Sequence, residues 1–211
     1  MRAISSTNSP PGVKTASKAW GLVVAGYSTA AVALVAFLTI NGASGTPMAA
    51  TIGTASLLAI GLLLPTAGML QLRRTLGPST RAARYGYAMQ AFGLLGLLIG
   101  VVIVVVVSSL SGHLVGAVFV VAAGVSAIAG AVLLREHYIS AIASNTRGVA
   151  YLILGTALIF SGAGLIVASN VALEYLISDM QNTIYVDVGA TVSACGCVLA
   201  AYSFFVLHNH G

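Results

Sequence analysis

The sequence predicts an all-α membrane protein, a bundle of six transmembrane helices arranged as three helical hairpins. Of its 211 residues, 58% are hydrophobic and only 6% are charged, whereas a soluble domain carries roughly 25% charged residues. So few charges cannot cover the surface of a soluble fold, and the long apolar runs place the chain in the membrane class. The number of these runs and the distribution of the basic residues then predict the architecture.

Six apolar segments are long enough to cross a bilayer, which takes about 20 residues of helix. They cover residues 20–40, 50–72, 86–108, 113–134, 149–169 and 186–207. Lipid offers backbone groups no hydrogen-bond partner, so each segment is predicted to be a helix, including the valine-rich run VVIVVVV. We place the turn between the third and fourth segments at SSLSGH, residues 108–113.

The N-terminal segment differs in composition from the rest of the chain. Residues 1–18 are polar and contain the Pro10-Pro11 pair, which predicts a disordered cytoplasmic tail before a six-helix transmembrane domain at 19–211. The first apolar run is about twenty residues long, more than the roughly 7–15 residues of a signal-peptide core. We therefore interpret this run as a retained transmembrane helix.

The basic residues predict the orientation in the membrane. With the N-terminus in the cytoplasm, all nine Lys and Arg residues fall in cytoplasmic segments, including Arg73, Arg74, Arg81 and Arg84. This positive-inside pattern predicts a multi-pass protein of a plasma (inner) membrane with both termini cytoplasmic. We interpret the four arginines as a topology signal that also contacts anionic lipid headgroups. No nucleic-acid partner is expected, because no aromatic platform accompanies the charges.

Glycines at helical spacing predict close contacts between helices. Lipid is as apolar as leucine, so helix association in a bilayer depends on the close packing of small residues. Residues seven apart lie on one face of a helix. The glycines expected to make these contacts are Gly61, Gly68, Gly93, Gly96, Gly100, Gly155, Gly162, Gly189 and Gly196. The contacts can lie within one chain or between copies in a homo-oligomer, and a narrow glycine-lined pore is the alternative.

Titratable residues fall at the predicted outer surface. His113, Glu174, Asp179 and Asp187 are candidates for an external titratable group. Histidine changes charge between about pH 5 and 8, so such a group would respond to external pH. Asp187 opens the last segment, and an acid inside a membrane usually has a function. At interface depth water reaches the carboxylate, so a structural role is the alternative.

No catalytic, cofactor or metal site is predicted. No charged residue lies at the centre of a predicted helix, which argues against a proton- or sodium-coupled carrier. The sequence contains neither an H-E-x-x-H nor a G-x-S-x-G motif. Cys195 and Cys197 lie about 200° apart around a helix, so their thiols cannot jointly bind one metal ion. His208 and His210 have no further ligands beside them.

The polar residues within the segments are few. Serines there have no visible base and are expected to bond back to their own helix. A small channel or uniporter for a neutral or weakly charged solute is the alternative function, and it needs a polar lining. The candidate lining residues are Gln71, Gln90, Ser126, Thr156, Ser161 and Ser193.

A two-helix pattern recurs three times along the chain. The hairpins begin with KAWG, RYGY and RGVAY, and the first two end with LQLRR and VLLREH. Triplication of a two-helix unit is therefore a hypothesis. The alternative is that any cytoplasmic helix end carries basic and aromatic residues.

The first hairpin also carries the features of a known family. These are the residues Trp20, Gly26, Pro47, Gly61, Arg73 and Arg74, repeated in part by Tyr87 and Gly93 and by Tyr151 and Gly155. In this pattern the chain resembles the HdeD-like family of six-helix bacterial membrane proteins linked to acid resistance. The later hairpins lack the loop proline. The resemblance implies a stress-related membrane protein without a known catalytic site.

Together these observations favour a non-enzymatic integral membrane protein that acts through helix packing. It would be an accessory subunit of a membrane complex or a stress-related membrane component. Its expected partners are the lipid bilayer, anionic headgroups on the cytoplasmic side, and further copies of the chain or other membrane subunits.

Overall fold

The computed structural model describes residues 11–41, 48–76, 80–107, 110–141, 146–173 and 179–209. Within these ranges the chain forms six helices and no strand. The helices are α1 (Pro11–Asn41), α2 (Met48–Thr75), α3 (Arg81–Val106), α4 (Leu110–Ala141), α5 (Thr146–Leu173) and α6 (Asp179–Asn209). Each is long and apolar enough to cross a membrane. The predicted six-helix transmembrane bundle is confirmed, and the protein is a multi-pass integral membrane protein.

All six helices begin before the apolar segments that predict them, and two of them begin within the predicted tail or turn. α1 begins at Pro11, so residues 11–18 of the predicted tail are helical. Proline is favourable in a first helical turn, where its missing N–H has no partner to lose. α4 begins at Leu110, so the second part of the predicted turn is helical as well. A Cβ on Gly112 would lie 2.6 Å from the Cβ of Val107, so glycine allows this tight reversal.

The six helices form a closed ring in chain order. Each helix packs against its neighbours in the sequence, and α6 packs against α1. The most extensive contacts lie within the pairs α1–α2, α3–α4 and α5–α6, so the ring consists of three hairpins. The hairpins are antiparallel, since Gly68 lies against Ala19 while Gly61 lies against Ala30. A smaller contact joins α3 to α5.

One end of the ring is basic. The antiparallel arrangement brings together the first residues of α1, α3 and α5 and the last residues of α2, α4 and α6. The Lys and Arg side chains that the structure describes all lie at this basic end, and they are Lys18, Arg73, Arg74, Arg81, Arg84, Arg135 and Arg147. The opposite end is called the non-basic end below.

Small residues hold the two helices of each hairpin at close range. A Cβ on Gly93 would lie 2.8 Å from the carbonyl oxygen of Ala123, and one on Gly155 would lie 2.8 Å from that of Gly196. No side chain fits at such distances. The glycine hydrogen therefore points at a carbonyl oxygen of the partner helix, a weak contact that recurs where helices pack closely.

The same contact occupies an equivalent place at the basic end of each hairpin. A Cβ on Gly68 would lie 2.7 Å from the Ala19 oxygen, and one on Gly130 would lie 2.7 Å from the Gly86 oxygen. In the third hairpin the Ser203 hydroxyl donates to the Gly148 oxygen at 2.6 Å. This shared register is what a triplicated two-helix unit would produce.

We expect a methyl group at Gly162 to destabilise the bundle and one at Gly164 to leave it unharmed. A Cβ on Gly162 would lie 2.7 Å from the backbone nitrogen of Ser193, whereas one on Gly164 has nothing within 4 Å. Gly162→Ala should therefore cost about 1–3 kcal/mol through overpacking. Gly164→Ala should be neutral or stabilising, because alanine forms helix better than glycine. Thermal unfolding in mild detergent measures both, and equal melting temperatures would contradict the packing account.

Candidate functional site inside the ring

Three matching rows of residues face the interior of the ring. The row on α3 is Gln90, Leu94, Leu97 and Val101, and its spacings of four, three and four keep it on one face. The equivalent rows are Val23, Tyr27, Ala30 and Leu34 on α1, and Leu152, Thr156, Ile159 and Ala163 on α5. Apart from Val101, which is partly exposed, these side chains are at most 8% exposed. The first helix of each hairpin therefore supplies much of the core.

Toward the non-basic end the ring encloses a cavity of about 90 Å³, which we call the axial cavity. Its residues from the first three helices are Leu34, Leu58, Leu62, Leu97 and Val101. Its residues from α5 and α6 are Ile159, Ala163, Ile166, Ser193 and Cys197. The Ser193 hydroxyl donates to the Ile159 carbonyl oxygen at 3.1 Å, so its proton is engaged away from the cavity. Such a wall favours a hydrocarbon over a polar solute or an ion.

Toward the basic end the interior is filled by large side chains. Tyr27, Met69, Tyr87 and Phe204 are each at most 2% exposed. The Tyr27 and Phe204 rings stack with centroids 6.1 Å apart. The Tyr87 hydroxyl is hydrogen-bonded to that of Tyr138 across the α3–α4 hairpin. A solute moving along the axis would have to displace these side chains.

Gln90 is the polar side chain at the centre of the interior and is fully buried. Its Nε2 donates to the Ala127 carbonyl oxygen at 2.8 Å and lies 3.4 Å from the Thr156 Oγ1. The amide therefore joins α3 to both α4 and α5. Its Oε1 has no hydrogen-bond partner, and leaving a buried acceptor unpaired costs about 1–3 kcal/mol.

Three serines bond between helices, so the prediction that serines bond to their own helix is wrong for these three. The buried Ser169, in contrast, donates to the Ile166 oxygen of its own helix, as expected. The cross-helix bonds are Ser126 to the Met89 oxygen, Ser193 to the Ile159 oxygen and Ser203 to the Gly148 oxygen. Each bond joins the two helices of one hairpin. The exposed Ser56, in contrast, donates to Ile52 of its own helix, as expected. We call the contact between the two helices of a hairpin its seam. Small residues at the seams bring the carbonyl of the neighbouring helix within reach of a serine hydroxyl.

The predicted packing glycines lie at helix–helix contacts. A Cβ on any of the nine would approach atoms of a neighbouring helix within 3.0 Å. Gly96 is the loosest of the set, with the Ala123 Cβ at 3.0 Å. These positions lie at the seams within the hairpins rather than along the walls of the axial cavity.

The predicted external titratable group is not assembled among the described residues. His113 lies in the first turn of α4, half-buried, with its Nδ1 unpaired. Asp187 lies half-buried in α6, and α5 stands between α4 and α6 in the ring. Glu174 and the side chain of Asp179 lie outside the described residues. No group of three His, Cys, Asp or Glu side chains in the described part of the chain could hold a metal ion.

The two cysteines point to opposite sides of α6, as predicted. Cys195 is exposed, whereas Cys197 is buried in the wall of the axial cavity. The position of Cys197 in the cavity wall could not be predicted, because a cysteine in an apolar helix has the pattern of an ordinary packing residue.

The four predicted topology arginines flank the connection between α2 and α3 at the basic end. Arg74 and Arg81 are exposed, and Arg73 and Arg84 are half-buried. At the same end, Trp20 of α1 lies against His208 of the neighbouring α6, with the centroids of their aromatic rings 5.7 Å apart. Aromatic and basic side chains thus occupy the depth at which membrane proteins meet lipid headgroups.

No protein-family model, curated protein or solved structure matches the chain. The resemblance to the HdeD-like family therefore stays a prediction. What the fold defines is a class, a six-helix integral membrane protein with a closed ring of three hairpins and an apolar interior.

We expect Gln90→Leu to change the free energy of unfolding by no more than about 1 kcal/mol. The substitution loses the bonds to Ala127 and Thr156 but also removes the unpaired Oε1 and keeps the volume. Gln90→Ala should cost about 2–5 kcal/mol, because it leaves a cavity as well. Thermal unfolding in detergent measures both variants. A Gln90→Leu variant as unstable as Gln90→Ala would show that the amide bonds stabilise the ring.

Proposed function

We propose that the protein is a non-enzymatic accessory subunit of a membrane complex and packs against a transmembrane helix of another subunit. The observation that carries this proposal is the poor coverage of α2. In an apolar 18-residue stretch of its span Met48–Thr75, 22% of the residues are buried, whereas in the corresponding stretches of the other spans between 39% and 56% are buried. The missing burial is in the non-basic half of α2, where Thr54 is the single buried residue between positions 48 and 60.

The uncovered half of α2 has the composition of a helix-packing face. Ala49 and Gly53 lie one turn apart and are exposed. A Cβ on Gly53 has nothing within 4 Å. Met48 and Ile52 flank this small-residue notch and are 78% and 55% exposed. A pair of small residues four apart lets a second transmembrane helix approach closely, and the flanking side chains then pack around it.

The use of the interior hydroxyls supports the non-enzymatic part of the proposal. Ser126, Ser193 and Ser203 each donate to a backbone carbonyl of the neighbouring helix. A nucleophilic serine needs a base that accepts its proton. These hydroxyls instead hold hairpins together.

The channel alternative has less support. Of its candidate lining residues, Gln90 contacts Thr156, Ser193 bonds to a carbonyl, and Ser161 lies on the exposed surface. The interior between the axial cavity and the basic end is filled by aromatic and aliphatic side chains.

We further propose that the basic end faces the cytoplasm of a plasma (inner) membrane. The basis is the positive-inside rule, since every described Lys and Arg lies at that end. The exposed Arg74 and Arg81 are then placed to contact anionic headgroups.

Purification from native membranes in mild detergent, followed by native mass spectrometry, tests the subunit role. We expect a discrete mass that contains a second, different protein. Gly53→Phe should release that protein, because the phenyl ring fills the notch that the partner helix needs. Gly21→Phe is the matched control, since a Cβ on Gly21 of α1 likewise has nothing within 4 Å.

Three outcomes would count against the proposal. One is a monomer alone, and another is a second protein retained equally by both variants. The third is a homo-oligomer that Gly53→Phe dissociates, which would assign the face to a second copy of this chain. The melting temperature of Gly53→Phe should match the wild type in the dissociated state, because the ring itself is untouched.

A further inference from the structure

We infer that the axial cavity binds the end of a lipid hydrocarbon chain, which enters from the bilayer between α2 and α3. The inference is independent of the subunit role, because it concerns the inner side of α2 rather than the exposed notch. It rests on the depth of the cavity, the chemistry of its wall, the origin of its volume and the exposure of its rim.

The cavity lies at the depth of the membrane core. Leu62 is near the middle of the span Met48–Thr75, and Cys197 is near the middle of the span Thr183–His208. Leu34 and Val101 extend the wall from there toward the non-basic end. A site at this depth is surrounded by lipid chains rather than by water.

The wall offers nothing to a polar ligand. Eight of its ten residues have aliphatic side chains, and none is charged. The Ser193 proton is used by the Ile159 oxygen. A buried water needs two to four polar partners, so an apolar cavity of this kind stays dry. Methylene groups would fill the space and gain dispersion contacts with the leucine and isoleucine side chains.

The volume comes from two positions of the third hairpin that carry smaller residues than the equivalent positions of the first. Ala163 stands where α1 has Leu34. Counted from the equivalent residues Gly68 and Ser203, Cys197 stands where α2 has Leu62. Leu34 and Leu62 on one side of the interior thus face the smaller Ala163 and Cys197 on the other. The cavity is a consequence of this asymmetry between otherwise similar hairpins.

The rim is partly exposed on α2 and α3, and at Ile166 on α5. Ile159 and Cys197, on the side of α5 and α6, are at most 2% exposed. Leu58 and Val101, on α2 and α3, are only partly buried. In a bilayer, lipid chains reach these partly buried rim side chains on the cavity side of α2 and α3, away from the exposed notch. A space of about 90 Å³ admits a chain end but not a helix of another protein.

Photo-crosslinking of the wild-type protein tests this directly. The full chain would be reconstituted in bilayers that contain phosphatidylcholine with a diazirine at the end of one acyl chain. After irradiation, mass spectrometry maps the labelled residues. We expect adducts on Leu97 and Ile159, which are 4% and 2% exposed, in addition to the exposed residues that any lipid reaches. Adducts confined to exposed residues such as Val102 and Leu154 would overturn the inference.

The two cysteines supply matched variants. Cys197→Leu fills the cavity and should remove the adducts on Leu97 and Ile159, whereas Cys195→Leu, on the exposed side of the same helix, should keep them. If Cys197→Leu does not give a folded peak in size-exclusion chromatography, Ala163→Val is the milder filling variant. Interior adducts that persist in a folded filled variant would contradict binding in the cavity. Thermal stabilisation by benzene without interior lipid adducts would show a closed cavity and also overturn the inference.

Discussion

The whole bundle depends on the close approach of two backbones within each hairpin. In a bilayer the burial of leucine gains little, because lipid is equally apolar, so the helices need contacts that lipid cannot supply. The glycine-to-carbonyl contacts at Gly68, Gly86 and Gly155 are contacts of that kind. They bring serine hydroxyls within reach of carbonyls on the neighbouring helix, and Ser203 uses this proximity. They also place the adjacent face of each first helix toward the interior.

The three hairpins are alike at their seams and unlike in the interior. The seam residues stay small, as glycine, alanine or serine, since a large side chain would separate the helices. The interior rows differ in size and polarity, with Gln90 in one, Tyr27 in the second and Ala163 in the third. Because of this difference, the interior is filled by large side chains toward the basic end, bridged by Gln90 between helices, and open as the axial cavity toward the non-basic end. It also explains why the cavity does not follow the threefold repeat of the hairpins.

The sequence predicts the six spans well, because hydrophobic length and backbone satisfaction in lipid leave few alternatives. It locates helix starts less well. Pro11 looks like a helix breaker but is tolerated in a first turn, and the run SSLSGH looks like a turn although α4 begins within it at Leu110. It assigns the buried serines to their own helices because the neighbouring carbonyl that Ser193 reaches is 34 positions away in the chain. The axial cavity could not be predicted at all. A cavity arises from side chains that are too small to fill the space between helices. It can be recognised only when the hairpins are compared in three dimensions, where Ala163 takes the place of Leu34.

The closure of the ring by α1 and α6 has a consequence for the order of folding. Trp20 and Tyr27 pack against Phe204, so the first helix of the chain completes its contacts only with the last. Each hairpin can assemble as soon as its own two helices have entered the membrane, because its seam is local in sequence. The contact between α1 and α6 has the largest sequence separation in the bundle and must wait until α6 has been synthesised. Until then one flank of α1 remains open to lipid, and a chaperone or a partner subunit would meet the protein as an open arc of helices before it becomes a ring.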